Sequence, residues 1–275
     1  MTLHRILVCL LFIAAAALPC FCQEDSLPPS LSTVVLSDAG AGLDDAAAFW
    51  TAPTRFTACN WLTFGAAVGG VAVMVGYDAR LQDRFASPRG DERSLWDVPT
   101  WYGEIKYAGV LTLGTYTAGL VGHDRELRRT GRLLFESLAL SASAMLATRF
   151  LLGRSRPSDN RGARDFKGFR WNNAEESFPS GHATVAFAVS TVLAERIDHP
   201  VARLALYGLA ALTAAARVHD DQHWTSDVLA GAALGLAAGF HVVGREQRRE
   251  AGRPEDGAFS ITPLPGGLLM QYTFR

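Results

Sequence analysis

The alternation of long uncharged segments with short charged patches is the strongest constraint on how this chain folds. The uncharged segments are rich in Ala, Leu and Gly, and none shows the alternation of β-branched residues that is typical of strands. We therefore predict an all-α protein in which six helices follow one another, with Asp78, Gly122 and Gly153 near helix ends. The six segments are 56–77, 107–123, 137–148, 177–194, 204–216 and 228–244.

The composition is compatible with two environments for this bundle, water and a membrane. Apolar residues make up 49% of the chain, charged residues 19%, and the mean hydropathy is +0.11. A membrane crossing needs about 20 apolar residues, and only 56–77 provides them easily. Both a soluble bundle with an Ala-rich core and a membrane bundle with short spans fit. The net charge of -1 offers no global basic field for nucleic acid, and four Cys are too few for a disulfide scaffold.

The N-terminus has the pattern of an export signal. A basic start containing Arg5 precedes an apolar core, and small residues before Gln23 suit a cleavage site. We predict a signal peptide over residues 1–22, with an uncleaved anchor or a lipoprotein modified at Cys20 as alternatives. Residues 23–55 show little periodicity and are predicted to form a linker or surface arm.

The remaining charge pattern predicts an orientation and a separate tail. Arg-rich patches at 123–132 and 244–253 would face the cytoplasm under the positive-inside rule, which places the 149–182 loop outside. After the helical domain over 56–243, the tail over 244–275 has two strand-like segments around Pro263–Gly267. A small β-hairpin is predicted there, and a disordered end is the alternative.

Three clusters of polar residues lie at the predicted helix ends. In the first, Arg149 and Arg156 are seven residues apart, which would place both guanidinium groups on one helical face just before Pro157. Paired guanidinium forks suit an oxyanion, although Arg pairs at helix ends are commonly solvated or paired with acids.

The second cluster is Pro179-Ser180-Gly181-His182 at the start of an uncharged helix. Free amides at a helix N-terminus bind anions, and Ser180 is also a suitable helix cap. His182 at the mouth of that helix is placed to donate a proton to a leaving group.

The third cluster runs from Arg217 to Asp227. If this segment is helical, His223 and Asp227 share a face, and the carboxylate can orient one ring nitrogen and make the other a nucleophile or base. A histidine that is merely satisfied by its partner at a helix start is the alternative. His219, Asp220 and Asp221 could also be considered as metal ligands, but a polar loop edge is the favoured interpretation.

Taken together, the clusters supply what phosphoryl transfer needs without a metal ion: positive charge, a nucleophile, an acid and an orienting carboxylate. Their order and spacing resemble the signature of the type 2 phosphatidic acid phosphatase family, which shares its site with bacterial class A acid phosphatases and vanadium haloperoxidases. That signature is Lys-x6-Arg-Pro, Pro-Ser-Gly-His and Ser-Arg-x5-His-x3-Asp. This chain departs from it at two positions, with Arg149 in place of Lys and Ala216 in place of Ser.

The resemblance implies a six-helix bundle and a role for each matching residue. His223 would attack phosphorus, Asp227 would orient it, and His182 would protonate the leaving oxygen and later activate water. The implied phosphate-binding residues are Arg149, Arg156, Arg217, Ser180 and Gly181. No metal or other cofactor is implied, except vanadate if the chain is a haloperoxidase.

The predicted function is a metal-independent phosphatase acting on a phosphate monoester or pyrophosphate, with a lipid-linked substrate favoured by the apolar segments. Alternatives are a soluble periplasmic acid phosphatase, a phosphotransferase, a vanadium haloperoxidase and an inactive membrane protein. We predict a place in the bacterial cell envelope, membrane-associated, with the site facing the periplasm or exterior. A cleaved signal followed by six spans would instead place the site in the cytoplasm. The cleaved signal, the six spans and the outward-facing site are therefore not all compatible.

Overall fold

The computed structural model describes residues 30–86, 93–169, 177–252, 258–264 and 267–273. The predicted signal peptide over 1–22 lies outside these residues. The described chain forms nine α-helices and one antiparallel pair of strands, which confirms the all-α prediction with a small β addition. The helices are α1 Leu31–Thr51, α2 Ala58–Val75, α3 Asp78–Phe85, α4 Arg93–Tyr102, α5 Ile105–Val121, α6 Arg125–Leu152, α7 Gly181–Ile197, α8 Pro200–His219 and α9 Thr225–Glu250.

All six predicted segments are helical, as α2 and α5 to α9. The predicted ends are also confirmed. Gly122 caps α5, and Gly153 ends α6 with a φ of 52°, a left-handed conformation that glycine adopts without strain. Asp78 begins α3, directly after α2 has ended.

Helix α1 lies within the segment 23–55, for which the sequence predicted a linker or surface arm without assigning a helix. Ser30 caps its start by accepting a hydrogen bond from the Thr33 amide. Asp44 and Asp45 interrupt its apolar sequence and give it the appearance of a solvated segment, yet both are buried. Their carboxylates form ion pairs with Arg245 of α9, a partner 200 residues away that local sequence cannot reveal.

The centre of the bundle is the close contact between α7 and α9. Gly231, Gly235 and Gly239 recur every four residues along one face of α9. A Cβ atom at each would lie 2.4 to 2.6 Å from atoms of α7 or of Ser180 just before it, so the two helices approach too closely for a side chain at these positions. The largest fully buried apolar side chains of the core surround this contact: Leu133, Leu134, Val189, Val192 and Val242.

Among the residues that the structure describes, four helices are long and apolar enough to cross a membrane: α2, α6, α8 and α9. Helix α2 has the least protein cover of the four. No residue in it is buried, and large apolar side chains such as Trp61, Leu62 and Phe64 are exposed. An apolar helix without protein cover is stable in lipid rather than in water. The chain is therefore a membrane-associated protein.

A belt of ion pairs closes the bundle at the N-terminal end of α6 and the C-terminal end of α9. Arg132 binds Glu246 at 2.5 Å and Glu136 at 3.0 Å, and Arg128 binds Asp38 of α1 at 2.7 Å. From Asp227 to Arg245, α9 rises by about 27 Å, at about 1.5 Å per residue. The charged belt and the start of α9 therefore lie on opposite ends of the molecule.

The predicted C-terminal hairpin is present. Strands β1 Ala258–Leu264 and β2 Gly267–Thr273 pair antiparallel, with Ala258 opposite Thr273 and Leu264 opposite Gly267. Strand β1 also packs near α1.

Candidate active site

The residues of the three motifs meet around a cavity of about 330 Å³ at one end of the bundle. The end of α6, the start of α7, the end of α8 and the loop before α9 enclose it. Six of the eight predicted site residues line the cavity, and Ser180 and Asp227 lie buried next to it. The lining residues from the motifs are Arg149, Arg156, Gly181, His182, Arg217 and His223.

Arg149 and Arg156 reach the cavity by a different route from the predicted one. The helix ends at Leu152 because Gly153 turns the chain, so Arg156 lies beyond α6 and the two residues do not share a helical face. Arg149 donates to the Pro179 carbonyl oxygen at 3.2 Å, and Arg156 donates to the Gln222 side chain at 2.7 Å. Both guanidinium groups nevertheless line the same cavity.

His223 lies in the loop just before α9, not within a helix. Its Nδ1 atom is 2.8 Å from the Ser177 carbonyl oxygen and 3.7 Å from the Asp227 carboxylate. A carbonyl oxygen only accepts, so Nδ1 carries the proton and Nε2 keeps its lone pair. Burial lowers the pKa of the His223 imidazole, Asp227 opposes this shift, and Arg156 adds to it. The ring is therefore neutral at neutral pH, as a nucleophile requires.

Asp227 is fully buried behind His223, in the first turn of α9. Its Oδ2 atom accepts hydrogen bonds from the Ser177 hydroxyl at 2.5 Å and from the Trp224 amide at 2.9 Å. The Ser177 carbonyl fixes the tautomer of His223, whereas the carboxylate supplies negative charge beside the ring. The orienting role predicted for Asp227 is therefore shared between its carboxylate and the Ser177 carbonyl.

His182 lies in the first turn of α7, with its Nε2 atom 3.5 Å from the Glu104 carboxylate. Burial lowers the pKa of His182 to about 4, Arg217 adds to this shift, and Glu104 opposes it. Gly103 makes the approach of Glu104 feasible, because a Cβ atom there would lie 2.7 Å from the His182 carbonyl oxygen.

Two buried polar atoms at the site have no hydrogen-bond partner among the described residues. One is the Ser180 hydroxyl, which precedes α7 but does not cap it. The other is Nε of Arg217, whose Nη2 atom donates to Thr100 at 2.6 Å and to Asp220 at 2.5 Å. Unsatisfied buried donors are costly, so a phosphate that accepts from them would relieve the cost.

Sequence reasoning missed four residues of this site: Asp78, Glu104, Arg154 and Ser177. Arg154 lies within the unspecified stretch of the first motif, and Ser177 just before the second. Asp78 was noted only as a helix end. Glu104 follows a glycine before an apolar helix, which is a common arrangement and gave no functional signal.

The residues considered as metal ligands do not converge. His219 stacks on Trp96, Asp220 pairs with Arg217, and Asp221 accepts from Gln82. Across the part of the chain that the structure describes, no group of three His, Cys, Asp or Glu side chains is arranged to hold a metal ion.

A neutral histidine with a free Nε2, a second histidine and three guanidinium groups around one cavity are the parts of a phosphohydrolase. The profile of the PAP2 superfamily matches residues 130–250. A lipid A 1-phosphatase of Rhizobium etli is 30% identical over 200 residues, which cover 66% of this chain and 82% of the relative. The chain belongs to the PAP2 superfamily and is a phosphate monoester hydrolase.

One further relative and one solved structure are similar to part of this chain. A lipid A 1-phosphatase of Porphyromonas gingivalis is 31% identical over 123 residues, 43% of this chain, and this chain spans 25% of that relative's length. The crystal structure of Aquifex aeolicus LpxE superposes with a TM-score of 0.48 at 17% identity, covering 61% of this chain and 94% of that one.

Proposed function

We propose that this protein removes a phosphate group from a lipid-linked monoester or pyrophosphate through a phosphohistidine intermediate. The observation that carries the proposal is the placement of His223 beside Arg149, Arg156 and Arg217 in one cavity, with Nε2 left as a lone-pair donor. Three guanidinium groups supply the charge that a phosphate dianion and its transition state require, and the proposed reaction uses no metal ion.

The proposed chemistry has two steps. In the first, Nε2 of His223 forms a bond to phosphorus while the bond to the leaving oxygen breaks, and His182 gives that oxygen a proton. In the second, His182 takes a proton from water, the water oxygen bonds to phosphorus, and the bond to Nε2 breaks. Inorganic phosphate then leaves, and both histidines return to their starting forms.

A lipid substrate is supported by the other wall of the cavity. Beyond the guanidinium groups the lining becomes apolar, with Ile105, Leu138, Met145 and Val185 from α5, α6 and α7. Such a wall suits the apolar part of an amphipathic substrate. Because the relatives are described as lipid A 1-phosphatases, we propose a glycolipid 1-phosphate of the lipid A type as the first candidate.

We also propose that the helices span a bacterial membrane with the cavity facing the periplasm or exterior. The cavity lies about 27 Å from the belt of ion pairs, which also includes Arg245 and Arg249 and is rich in Arg. This distance is close to the thickness of a hydrocarbon core of about 30 Å. The positive-inside rule assigns the Arg-rich belt to the cytoplasm. In this orientation α1 is cytoplasmic, which favours an uncleaved or untranslocated N-terminal segment over the predicted cleaved signal.

The test is phosphate release by the purified protein in excess chelator, measured on lipid A, phosphatidate, phosphatidylglycerophosphate, a polyprenyl pyrophosphate and p-nitrophenyl phosphate. We expect release from lipid substrates that is abolished by His223→Ala and kept by His199→Ala, the same change at an exposed histidine at the other end of the bundle. Release from p-nitrophenyl phosphate alone would contradict the lipid assignment. Full activity of His223→Ala would contradict the mechanism.

A further inference from the structure

Arg154 is the largest fully buried side chain in the described protein, and it lies between two buried carboxylates. Its Nη1 atom donates to Asp227 at 2.5 Å, and its Nη2 atom donates to Asp78 at 2.7 Å. All three side chains have no exposed surface. Asp78 lies outside the three motifs, on α3, yet it is joined to the histidine site through a single arginine.

Further contacts fix this row of charges in place. Asp78 accepts from the Ser226 amide at 2.9 Å and from the Ser226 hydroxyl at 2.5 Å, which ties α3 to the start of α9. The guanidinium of Arg154 also lies 4.9 Å from the Phe166 ring centre and 5.4 Å from that of Trp224. A guanidinium held by two carboxylates and two rings has one orientation available.

The attachment of Arg154 determines how Asp227 faces His223. Arg154 occupies Oδ1 of Asp227, so only Oδ2 faces the Ser177 hydroxyl, the Trp224 amide and the His223 ring. The carboxylate cannot rotate without breaking a charge-assisted hydrogen bond in the protein interior. Arg154 therefore sets the position of the negative charge next to the nucleophile.

The charges also balance only when His223 is positive. Asp78, Arg154 and Asp227 together carry one negative charge, and unbalanced buried charge is costly. Attack on phosphorus makes the His223 ring cationic, so this net charge opposes the charge that develops in the reaction. The other charged or titratable groups around His223 in the described cavity are Arg149, Arg156, Arg217 and His182.

We infer that Asp78 and Arg154 are positioning residues that act through Asp227 on the nucleophile His223. The inference rests on the proposed function for the role of His223 as nucleophile. It adds a second carboxylate, remote in sequence, to the Asp227 and His223 pair.

The test compares Asp78→Asn and Arg154→Lys with Asp83→Asn, which removes an exposed carboxylate from the same helix. Asn at position 78 has nearly the same shape but carries no charge, and its single oxygen can replace only one of the two carboxylate oxygens that accept from Ser226. Nuclear magnetic resonance of ¹⁵N-histidine-labelled full-length protein in detergent, with the His223 signals assigned from His223→Ala, follows the tautomer and titration of the ring. This measurement does not depend on turnover.

We expect Asp78→Asn to lower the His223 titration midpoint by about half a pH unit or more, because a negative charge is lost near the ring. We expect kcat to fall by about tenfold or more while KM stays within about twofold. Arg154→Lys keeps the positive charge but loses the two-pronged guanidinium that binds both carboxylates. We therefore expect kcat to fall, with a smaller change in the His223 titration midpoint than in Asp78→Asn. Asp83→Asn should match the wild type in every measurement.

The inference is overturned if folded Asp78→Asn and Arg154→Lys keep the wild-type kcat and His223 midpoint, even if both unfold at lower temperature. Such a result would mean that the contacts of Asp78 and Arg154 stabilise the fold without affecting His223. If Asp78→Asn does not fold, Arg154→Lys decides. Failure of the proposed function is seen separately, as a wild type that releases no phosphate while its His223 signals still titrate.

Discussion

The Nε2 atom of His182 lies 3.5 Å from the carboxylate of Glu104, so the proposed general acid has an acidic neighbour inside the cavity. Three guanidinium groups line the same cavity, and Arg217 disfavours the protonated imidazole of His182. Glu104 is the carboxylate that opposes this effect on the pKa of His182. Glu104 therefore favours the protonated form of His182 that the donation of a proton requires.

Replacing Glu104 with Gln should therefore shift the pH dependence of turnover. Without the carboxylate the pKa of His182 falls further below its ordinary value, so the protonated form is lost at a lower pH as the pH rises. The descending limb of kcat against pH should move to lower pH, and kcat at neutral pH should fall by about tenfold. Asp83→Asn is the control. An unchanged descending limb would separate Glu104 from the proton transfer.

Arg149 stands where the family signature has Lys, and it offers a second prediction. Arg149→Lys keeps the positive charge and should retain kcat/KM within about tenfold of the wild type. Arg149→Met removes one of three cations and should lower kcat/KM by about a hundredfold or more. Phosphate release measured on both purified variants decides. Equal losses in the two variants would show that the fork of donors matters rather than the charge.

Turnover should be insensitive to chelation. The guanidinium groups of Arg149, Arg156 and Arg217 provide the positive charge that a metal ion supplies in other phosphatases. Phosphate release should be the same with and without excess EDTA, after long incubation. Loss of activity that added Mg²⁺ or Zn²⁺ restores would contradict this prediction.

The proposed orientation predicts which ends of the bundle reagents reach from outside the cell. In a chain whose own four cysteines are replaced, Arg161→Cys places a thiol on an exposed loop at the cavity end, and Arg248→Cys places one at the opposite end. An impermeant maleimide should label Arg161→Cys in intact cells and Arg248→Cys only after lysis. The reverse pattern would put the cavity in the cytoplasm.

The sequence was sufficient for six of the nine described helices and for six residues that line the cavity. Uncharged segments bounded by charge predicted α2 and α5 to α9, because this pattern is local. The spacing of His182, Arg217 and His223 gave the cavity lining, because each residue lies at a helix end that faces the same side of the bundle.

What the sequence did not reveal depends on partners far away along the chain. Asp45 has a buried partner in Arg245, which the local sequence does not show. Asp78, which the sequence marked only as a helix end, has a buried partner in Arg154. Arg156 was placed on the face of Arg149 because seven residues make two helical turns. The left-handed turn at Gly153 ended the helix before that rule applied.

The distance between the two charged ends of α9 has a consequence for where such an enzyme can work. Asp227 and Arg245 are fixed points about 27 Å apart, because each is held by buried ion pairs that cannot slide along the helix. A bundle with this fixed apolar height would meet hydrophobic mismatch in a thicker bilayer, which would have to thin around it or force it to tilt. Bilayer thickness would then act on the tilt and packing of the helices that hold the cavity.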